Sequence, residues 1–227
     1  MVKIDLHVHT NHSKCSYSPV KDVILTAKKR GLDGITIADH NTMSAIKEAK
    51  KIADDVGLLL IPGQEISTTS GHIVALNIKK PIKKGLSPEE TIKRIHKQGG
   101  LAVAAHPYAF IFHRQSLRDK VKELDLDAIE AFNSANLIEN KKAIQVANEL
   151  DMVQVAGSDA HILSEIGRAY TIADCNLNVK SFLSKIKNGE VLWVGERTLF
   201  IVGIHYKLRR LYSILTNKES LNKRKNR

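Results

Sequence analysis

Cysteine, aromatic residues and long apolar runs are all scarce in this 227-residue chain. The two cysteines, Cys15 and Cys175, cannot build a disulfide framework, and no secretion signal pattern precedes the first strand, so we expect a reducing, cytoplasmic location. No apolar run reaches the roughly 18 residues that a membrane-spanning helix needs. Aromatic residues make up 5% of the chain, and no aromatic-rich stretch indicates a surface for stacking single-stranded nucleic acid.

The composition is that of an ordinary globular protein with a basic excess. Hydrophobic residues make up 43% of the chain and charged residues 26%, and the formal net charge is +11. This charge favours anionic partners such as phosphate esters or nucleic acid, without choosing among them. We predict one folded domain over residues 1–198, and a basic amphipathic helix with a solvated tail over residues 199–227, where apolar residues recur every three or four positions.

Apolar strands and amphipathic helices alternate along most of the chain. The pairs Ser18-Pro19 and Ser87-Pro88 each indicate an N-cap followed by proline at the first helical position. Repeated strand–helix order predicts an α/β fold with parallel strands, either an open doubly wound sheet or a closed barrel. The barrel is favoured because polar residues follow almost every strand, and barrel enzymes build their sites at the C-terminal ends of several strands.

The predicted strand ends carry most of the histidines. His7 and His9 are two residues apart in an alternating strand, so both imidazoles face the same side. Six of the ten histidines and three carboxylates occupy such positions: His7, His9, Asp39, His40, Glu65, His72, His106, Asp159 and His161. A single histidine is more often an ordinary hydrogen-bonded residue, but this concentration predicts a metal site. Imidazole with carboxylate suits zinc, manganese or iron better than magnesium or calcium.

Four stretches in this order, DLHVHT, ADH ending at His40, AAHP and GSDAH, resemble the motifs of the PHP (polymerase and histidinol phosphatase) family. The resemblance covers residues 1–173, and the spacing of Glu65 and His72 between the second and third motifs also matches. It implies a distorted seven-stranded (β/α)7 barrel, similar to a TIM barrel, with up to three metal ions at its C-terminal face. Many members of the family hydrolyse phosphoesters.

The resemblance also implies which residues bind each ion. The implied ligands are His7, His9, Glu65 and Asp159 for the first ion, Glu65, His72 and His106 for the second, and His40 and His161 for the third. The third ion needs a further ligand from the loop after the first strand, where the family often has aspartate or histidine and this chain has NHSKCSYS. Cys15 or His12 would substitute there, and a thiolate would favour zinc. Asp39, beside a ligand, is expected to orient an imidazole.

Basic and polar residues near these motifs are candidate contacts for the substrate. Arg168 is the first of them, because a guanidinium binds phosphate through two parallel hydrogen bonds. The other candidates are His12, Lys14, His113, Arg114 and Asn133.

These features predict a metal-dependent phosphoesterase with two to three divalent ions, acting on a small phosphomonoester or a nucleotide. Glu65 and Asp159 would hold the ions that activate water. A nuclease acting on DNA or RNA ends is the first alternative, and a nucleic-acid-binding barrel without catalysis is a second. Enzymes that cleave C–N bonds also carry HxH on the first strand, but they typically add a carboxylated lysine where this chain has glutamate. The natural substrate and the oligomeric state are left open.

Overall fold

The structure is a computed structural model that describes residues 1–110, 116–136 and 139–198. The amphipathic helix predicted within 199–227 and the candidate contacts His113 and Arg114 lie outside the described residues. Residues Met1–Arg197 form one unit, and the second unit, Thr198–Arg227, is described only at its first residue. Among the described helices, none is both long and apolar enough to cross a membrane.

Strands and helices alternate through most of the described chain. Their bounds are β1 Val2–Val8, α1 Val20–Lys29, β2 Gly34–Ile37, α2 Ile46–Val56, β3 Leu59–Ser67, β4 His72–Leu76, α3 Pro88–Lys97, β5 Leu101–Ala104, β6 Ala128–Asn133, α4 Asn140–Glu149, β7 Gln154–Gly157, β8 Ala169–Ala173, α5 Val179–Lys187 and β9 Val191–Gly195. The α3 start is as expected, because the Ser87 hydroxyl accepts a hydrogen bond from the backbone of Glu90 at 3.2 Å. The predicted cap at Ser18 is wrong, since its hydroxyl donates to the carbonyl of His161 instead.

The nine described strands form one sheet in the order β7-β6-β5-β4-β3-β2-β1-β8-β9. The predicted α/β class holds, but the seven-stranded, all-parallel (β/α)7 arrangement needs correction. Strand β4 is antiparallel to both of its neighbours, and β8 is antiparallel to β1 and β9. For β4 the reason is local: only residues 68–71 separate it from β3, and so short a connection can join strands only as a hairpin.

The sheet curls until its two arms meet beside β1, which makes a nearly closed barrel. The residues after β7 bond directly to β1: the backbone N–H of Asp159 donates to the carbonyl of His7 at 2.8 Å, and that of His9 donates to the carbonyl of Ala160 at 3.0 Å. Apolar side chains from most of the strands fill the interior, together with Phe182 and Ile186 of α5. The interior is therefore packed, and in barrels of this kind the functional side chains gather at the C-terminal ends of the strands.

Candidate metal centre

The predicted ligands converge around Glu65, a fully buried residue in β3. One carboxylate oxygen, Oε1, lies 2.7 Å from Nδ1 of His72 and 2.9 Å from Nε2 of His106. The other, Oε2, lies 3.1 Å from Nδ1 of His40 and 3.4 Å from the Nε2 atoms of both His7 and His9. Five imidazoles from separate parts of the chain therefore surround a single carboxylate.

Three overlapping sets of side chains bring their ligand atoms within 4.8 Å of one another. The sets are His7, His9 and Asp159; His40, Glu65 and His72; and His9, Cys15, His40 and His161. The first set matches the side chains expected around the first ion, apart from Glu65. The third joins His40 and His161, as expected for the third ion, and adds His9. His106 belongs to none of the three sets but contacts Glu65 directly.

The donor atoms fit divalent transition metals. Oε2 of Glu65 is buried and has no hydrogen-bond partner among the described residues, although three imidazole nitrogens lie within 3.4 Å of it. A buried carboxylate oxygen without a partner is costly, and a cation shared with the neighbouring imidazoles removes that cost. The nitrogen, oxygen and sulfur donors together suit zinc, manganese or iron.

The pKa shifts of Glu65, His9 and His40 favour the protonation states that bind metals. Burial by itself would raise the pKa of Glu65, but the imidazoles of His40, His72 and His7 lower that pKa well below its usual value, so the carboxylate is ionised. Burial lowers the pKa of His40 to about 4 and holds the pKa of His9 well below its usual value. Both imidazoles are therefore neutral near pH 7, which is the form that binds metals.

Two of the converging residues have unusual backbone conformations. His106 has a φ of 30° and Asp159 a φ of 53°, in the left-handed region that side chains other than glycine rarely adopt. Each backbone N–H is held by a partner: that of His106 by Oε2 of Glu130 at 2.7 Å, and that of Asp159 by the carbonyl of His7. Strain of this kind is typical of functional sites, where the surroundings impose it.

Of the two loop candidates for the third ion, the structure brings only Cys15 to the cluster. Its thiol donates to the hydroxyl of Ser13 at 3.2 Å, and the same hydroxyl accepts from the backbone N–H of His40. Burial, with the nearby charges of Glu65 and Asp159, raises the pKa of Cys15 to about 12. His12 turns away, since its Nδ1 is 2.8 Å from the hydroxyl of Ser44 in the loop before α2.

The predicted role of Asp39 needs correction. The carboxylate is buried, but it does not orient an imidazole: its two oxygens accept hydrogen bonds from the backbone N–H and the hydroxyl of Thr10, at 2.7 and 2.6 Å. Asp39 thus ties the end of β2 to the residue that follows His9. Burial raises the pKa of Asp39 to about 6.

The sequence analysis missed two buried acids that hold the ligands. Glu130, in β6, places Oε1 at 3.0 Å from Nδ1 of His7. Asp5, in β1, accepts from the backbone N–H groups of His7, Ser158 and Gly167 at 2.9 to 3.2 Å. Each acid has apolar neighbours on both sides, Ile4 and Leu6 for Asp5, and Ile129 and Ala131 for Glu130. That placement was the one available signal, because a buried acid needs a partner.

The candidate residues for substrate contact differ in their burial and in their hydrogen bonds. Asn133 is completely buried, its Nδ2 donates to Glu130 and Asp159, and its Oδ1 accepts from the backbone of Ala135, so its contact with substrate stays a prediction. Arg168 lies just before β8, and its Nε donates to the carbonyl of Ser164. Lys14 is exposed in the loop after β1. Contacts from Arg168, Lys14 and His12 to a substrate stay predictions.

Comparison with known proteins gives the same family as the sequence motifs. Residues 138–191 match the family model described as PHP-associated. An uncharacterized protein of Methanocaldococcus jannaschii is 41% identical in an alignment of 143 positions, which covers 59% of this chain and 82% of the relative. A probable phosphatase of Proteus mirabilis is 24% identical in an alignment of 227 positions, gaps included, which covers 83% of this chain and 90% of that protein.

Two further matches cover less of the other protein. A 5'-3' exoribonuclease of Haemophilus influenzae is 39% identical in an alignment of 82 positions, which covers 34% of this chain and 30% of the enzyme. The crystal structure of a two-domain protein of Bacteroides vulgatus, containing a predicted PHP-like metal-dependent phosphoesterase, superposes with a TM-score of 0.72 at 18% identity. That match covers 86% of this chain and 65% of the other.

The family model matches the part of the chain that supplies α4, β7, β8 and α5, including Asp159 and His161. The alignment with the uncharacterized Methanocaldococcus protein covers most of that protein, and the Bacteroides structure has the same fold as this chain. With the ligand-bearing motifs gathered at one end of the barrel, these matches lead to one assignment: the chain belongs to the PHP domain family.

Proposed function

We propose that this protein hydrolyses the phosphoester bond of a small phosphomonoester or a nucleotide, using two to three divalent ions of zinc, manganese or iron. The observation that carries the proposal is the buried carboxylate of Glu65 among five imidazoles, with one oxygen that lacks a hydrogen-bond partner among the described residues. The names of the Bacteroides and Proteus proteins point to the same reaction class. The expected cytoplasmic location stays a prediction.

The residues that would hold the ions are the members of the three sets, together with His106. Bound divalent cations supply Lewis acidity, which makes water a stronger nucleophile near pH 7 and neutralises the charge of the phosphate ester. The protein's own residues do the rest. The neutral imidazoles of His9 and His40 and the ionised carboxylate of Glu65 would help to hold the ions, and the packed barrel closes the site on one side. Arg168 and Lys14 would bind the remaining phosphate oxygens.

Metal content and activity are expected to rise and fall together. Protein purified without chelator should contain two to three divalent ions per chain by elemental analysis, because the three ligand sets share members and lie side by side. Chelation should remove hydrolysis of an aryl phosphate, and adding back manganese or zinc should restore it. A chain that hydrolyses the ester at full rate with no bound ion would contradict the proposal.

Cys15 is expected to be a thiolate ligand of the ion held by His9, His40 and His161. Protein loaded with Co²⁺ should then show a near-ultraviolet charge-transfer band from sulfur to cobalt, which Cys15→Ser removes. Cys175→Ser is the matched control, because this thiol packs against the apolar interior and should leave the band unchanged. A band that survives in Cys15→Ser would remove this residue from the ligand set.

A nuclease is the second candidate, and the partial match to the Haemophilus exoribonuclease is the observation that favours it. Turnover of the metal-loaded protein should therefore be compared on aryl phosphates, nucleotides and short RNA or DNA with a 5' phosphate. Faster turnover on oligonucleotides than on nucleotides would assign the site to a nuclease. Oligonucleotide binding without turnover of any ester would instead indicate a barrel that only binds nucleic acid.

A further inference from the structure

Glu130 is a buried acid on β6 that lies behind the metal centre, and none of the three ligand sets includes it. Its two carboxylate oxygens contact three nitrogen atoms. Oε1 lies 3.0 Å from Nδ1 of His7, and Oε2 accepts from the backbone N–H of His106 at 2.7 Å and from Nδ2 of Asn133 at 2.9 Å. Glu130 is therefore surrounded by hydrogen-bond donors.

The contact with His7 decides which of its ring nitrogens faces the cluster. A hydrogen on Nδ1 that points at Glu130 leaves Nε2 as the nitrogen available to bind a metal, and Nε2 is the atom 3.4 Å from Glu65 and 3.7 Å from Asp159. A carboxylate behind a metal-binding histidine fixes the orientation of the ring and raises its basicity.

The contact with His106 acts on a different part of the cluster. The N–H that Glu130 accepts belongs to the residue whose φ of 30° is strained, and the imidazole of the same residue reaches Oε1 of Glu65. The hydrogen bond thus helps to hold a backbone conformation that the residue would otherwise leave.

Asn133 extends the same network to a third ligand. Its Nδ2 lies 2.9 Å from Glu130 and 3.2 Å from Oδ2 of Asp159, so one amide connects the two acids. Through these contacts Glu130 is connected to His7 and Asp159, which belong to one ligand set, and to His106, which lies on the opposite side of Glu65.

We propose that Glu130 is a positioning residue that orients ligands on both sides of Glu65 at once, so that the affinities for two metal ions depend on this one carboxylate. The inference rests on the proposed metal-dependent function. Glutamine has nearly the same shape as glutamate but offers a single acceptor oxygen and an NH₂ group. In Glu130→Gln the negative charge is lost and the NH₂ group must face at least one of the three donors, so the contacts with His7 and with His106 are both weakened.

The test is a calorimetric titration of metal-free protein with Mn²⁺, comparing wild type, Glu130→Gln and the control Asp127→Asn. Asp127 is a carboxylate at the other end of β6 that accepts from the backbone of Ala102 and contacts His96, away from the cluster. We expect Glu130→Gln to lower the affinity for two ions, each by about 10- to 100-fold, the range for partners of metal-binding histidines. Asp127→Asn should bind as wild type does.

A second measurement separates positioning from a general loss of structure. In zinc-loaded protein with ¹⁵N-labelled histidine, the Nδ1 proton of His7 should resonate far downfield, and Glu130→Gln should move it upfield. His7→Gln assigns the resonance. The proposal would be overturned if Glu130→Gln left this resonance unchanged or lowered the affinity for one Mn²⁺ ion only. It would also be overturned if Glu130→Gln and Asp127→Asn lost the same Mn²⁺ affinity. Wild-type protein that binds Mn²⁺ but hydrolyses no phosphoester would refute the proposed function and leave the positioning role of Glu130 intact.

Discussion

Replacing Glu65 with glutamine is expected to lower the turnover of an aryl phosphate by at least about a thousand-fold, together with loss of bound metal. The carboxylate is buried and ionised, and each of its two oxygens contacts imidazoles. Glutamine keeps the volume but removes the negative charge that holds the cations. Several kcal/mol of electrostatic stabilisation are lost, and each 1.36 kcal/mol corresponds to a factor of ten in rate.

The measurement is steady-state turnover paired with elemental analysis of the same samples. Glu90→Gln is the control, because Glu90 is an exposed acid that pairs with Arg94 on α3, and its loss should leave both quantities unchanged. Thermal unfolding without metal shows whether Glu65→Gln is folded. A folded Glu65→Gln variant with normal metal content and normal turnover would contradict the central role of this residue.

Replacing Gly157 with alanine is expected to damage the metal centre through packing alone. An added Cβ would lie 2.5 Å from Cβ of His7, 2.9 Å from its backbone nitrogen and 3.0 Å from Oε1 of Glu130. Strands β7 and β1 meet at this point, so neither backbone can move away without disturbing a ligand. Overpacking of this kind typically costs about 1–3 kcal/mol, so thermal unfolding should shift down by about 2–4 °C for each kcal/mol.

Gly31→Ala is the matched control for Gly157→Ala. Gly31 has a φ of +72° and nothing within 4 Å of an added Cβ, so alanine there costs about 1–2 kcal/mol through backbone strain only. Both variants should unfold at lower temperature, but only Gly157→Ala should also bind Mn²⁺ more weakly. Wild-type Mn²⁺ affinity in Gly157→Ala would show that the close approach of β7 to His7 is not needed for binding.

Much of the candidate site could be predicted from the sequence because its ligands follow a local pattern. His7 and His9 share a side through the two-residue repeat of a strand, and Asp159 and His161 repeat that spacing after β7. The hydrogen-bond partners of the buried acids could not be predicted in the same way. His7 and Glu130 are 123 positions apart, Asp39 and Thr10 are 29 apart, and no local pattern records which buried acid meets which donor.

The amino-acid pattern alone determined the alternation of strands and helices, the polar ends of the strands and the residue types gathered there, because burial and strand periodicity act over a few positions. The tertiary structure decided the direction of β8, the grouping of His9 with Cys15, and the acids that hold His7 and His106. Those features depend on how a curled sheet brings distant segments together, and that is settled by packing of the whole barrel rather than by any one stretch of the chain.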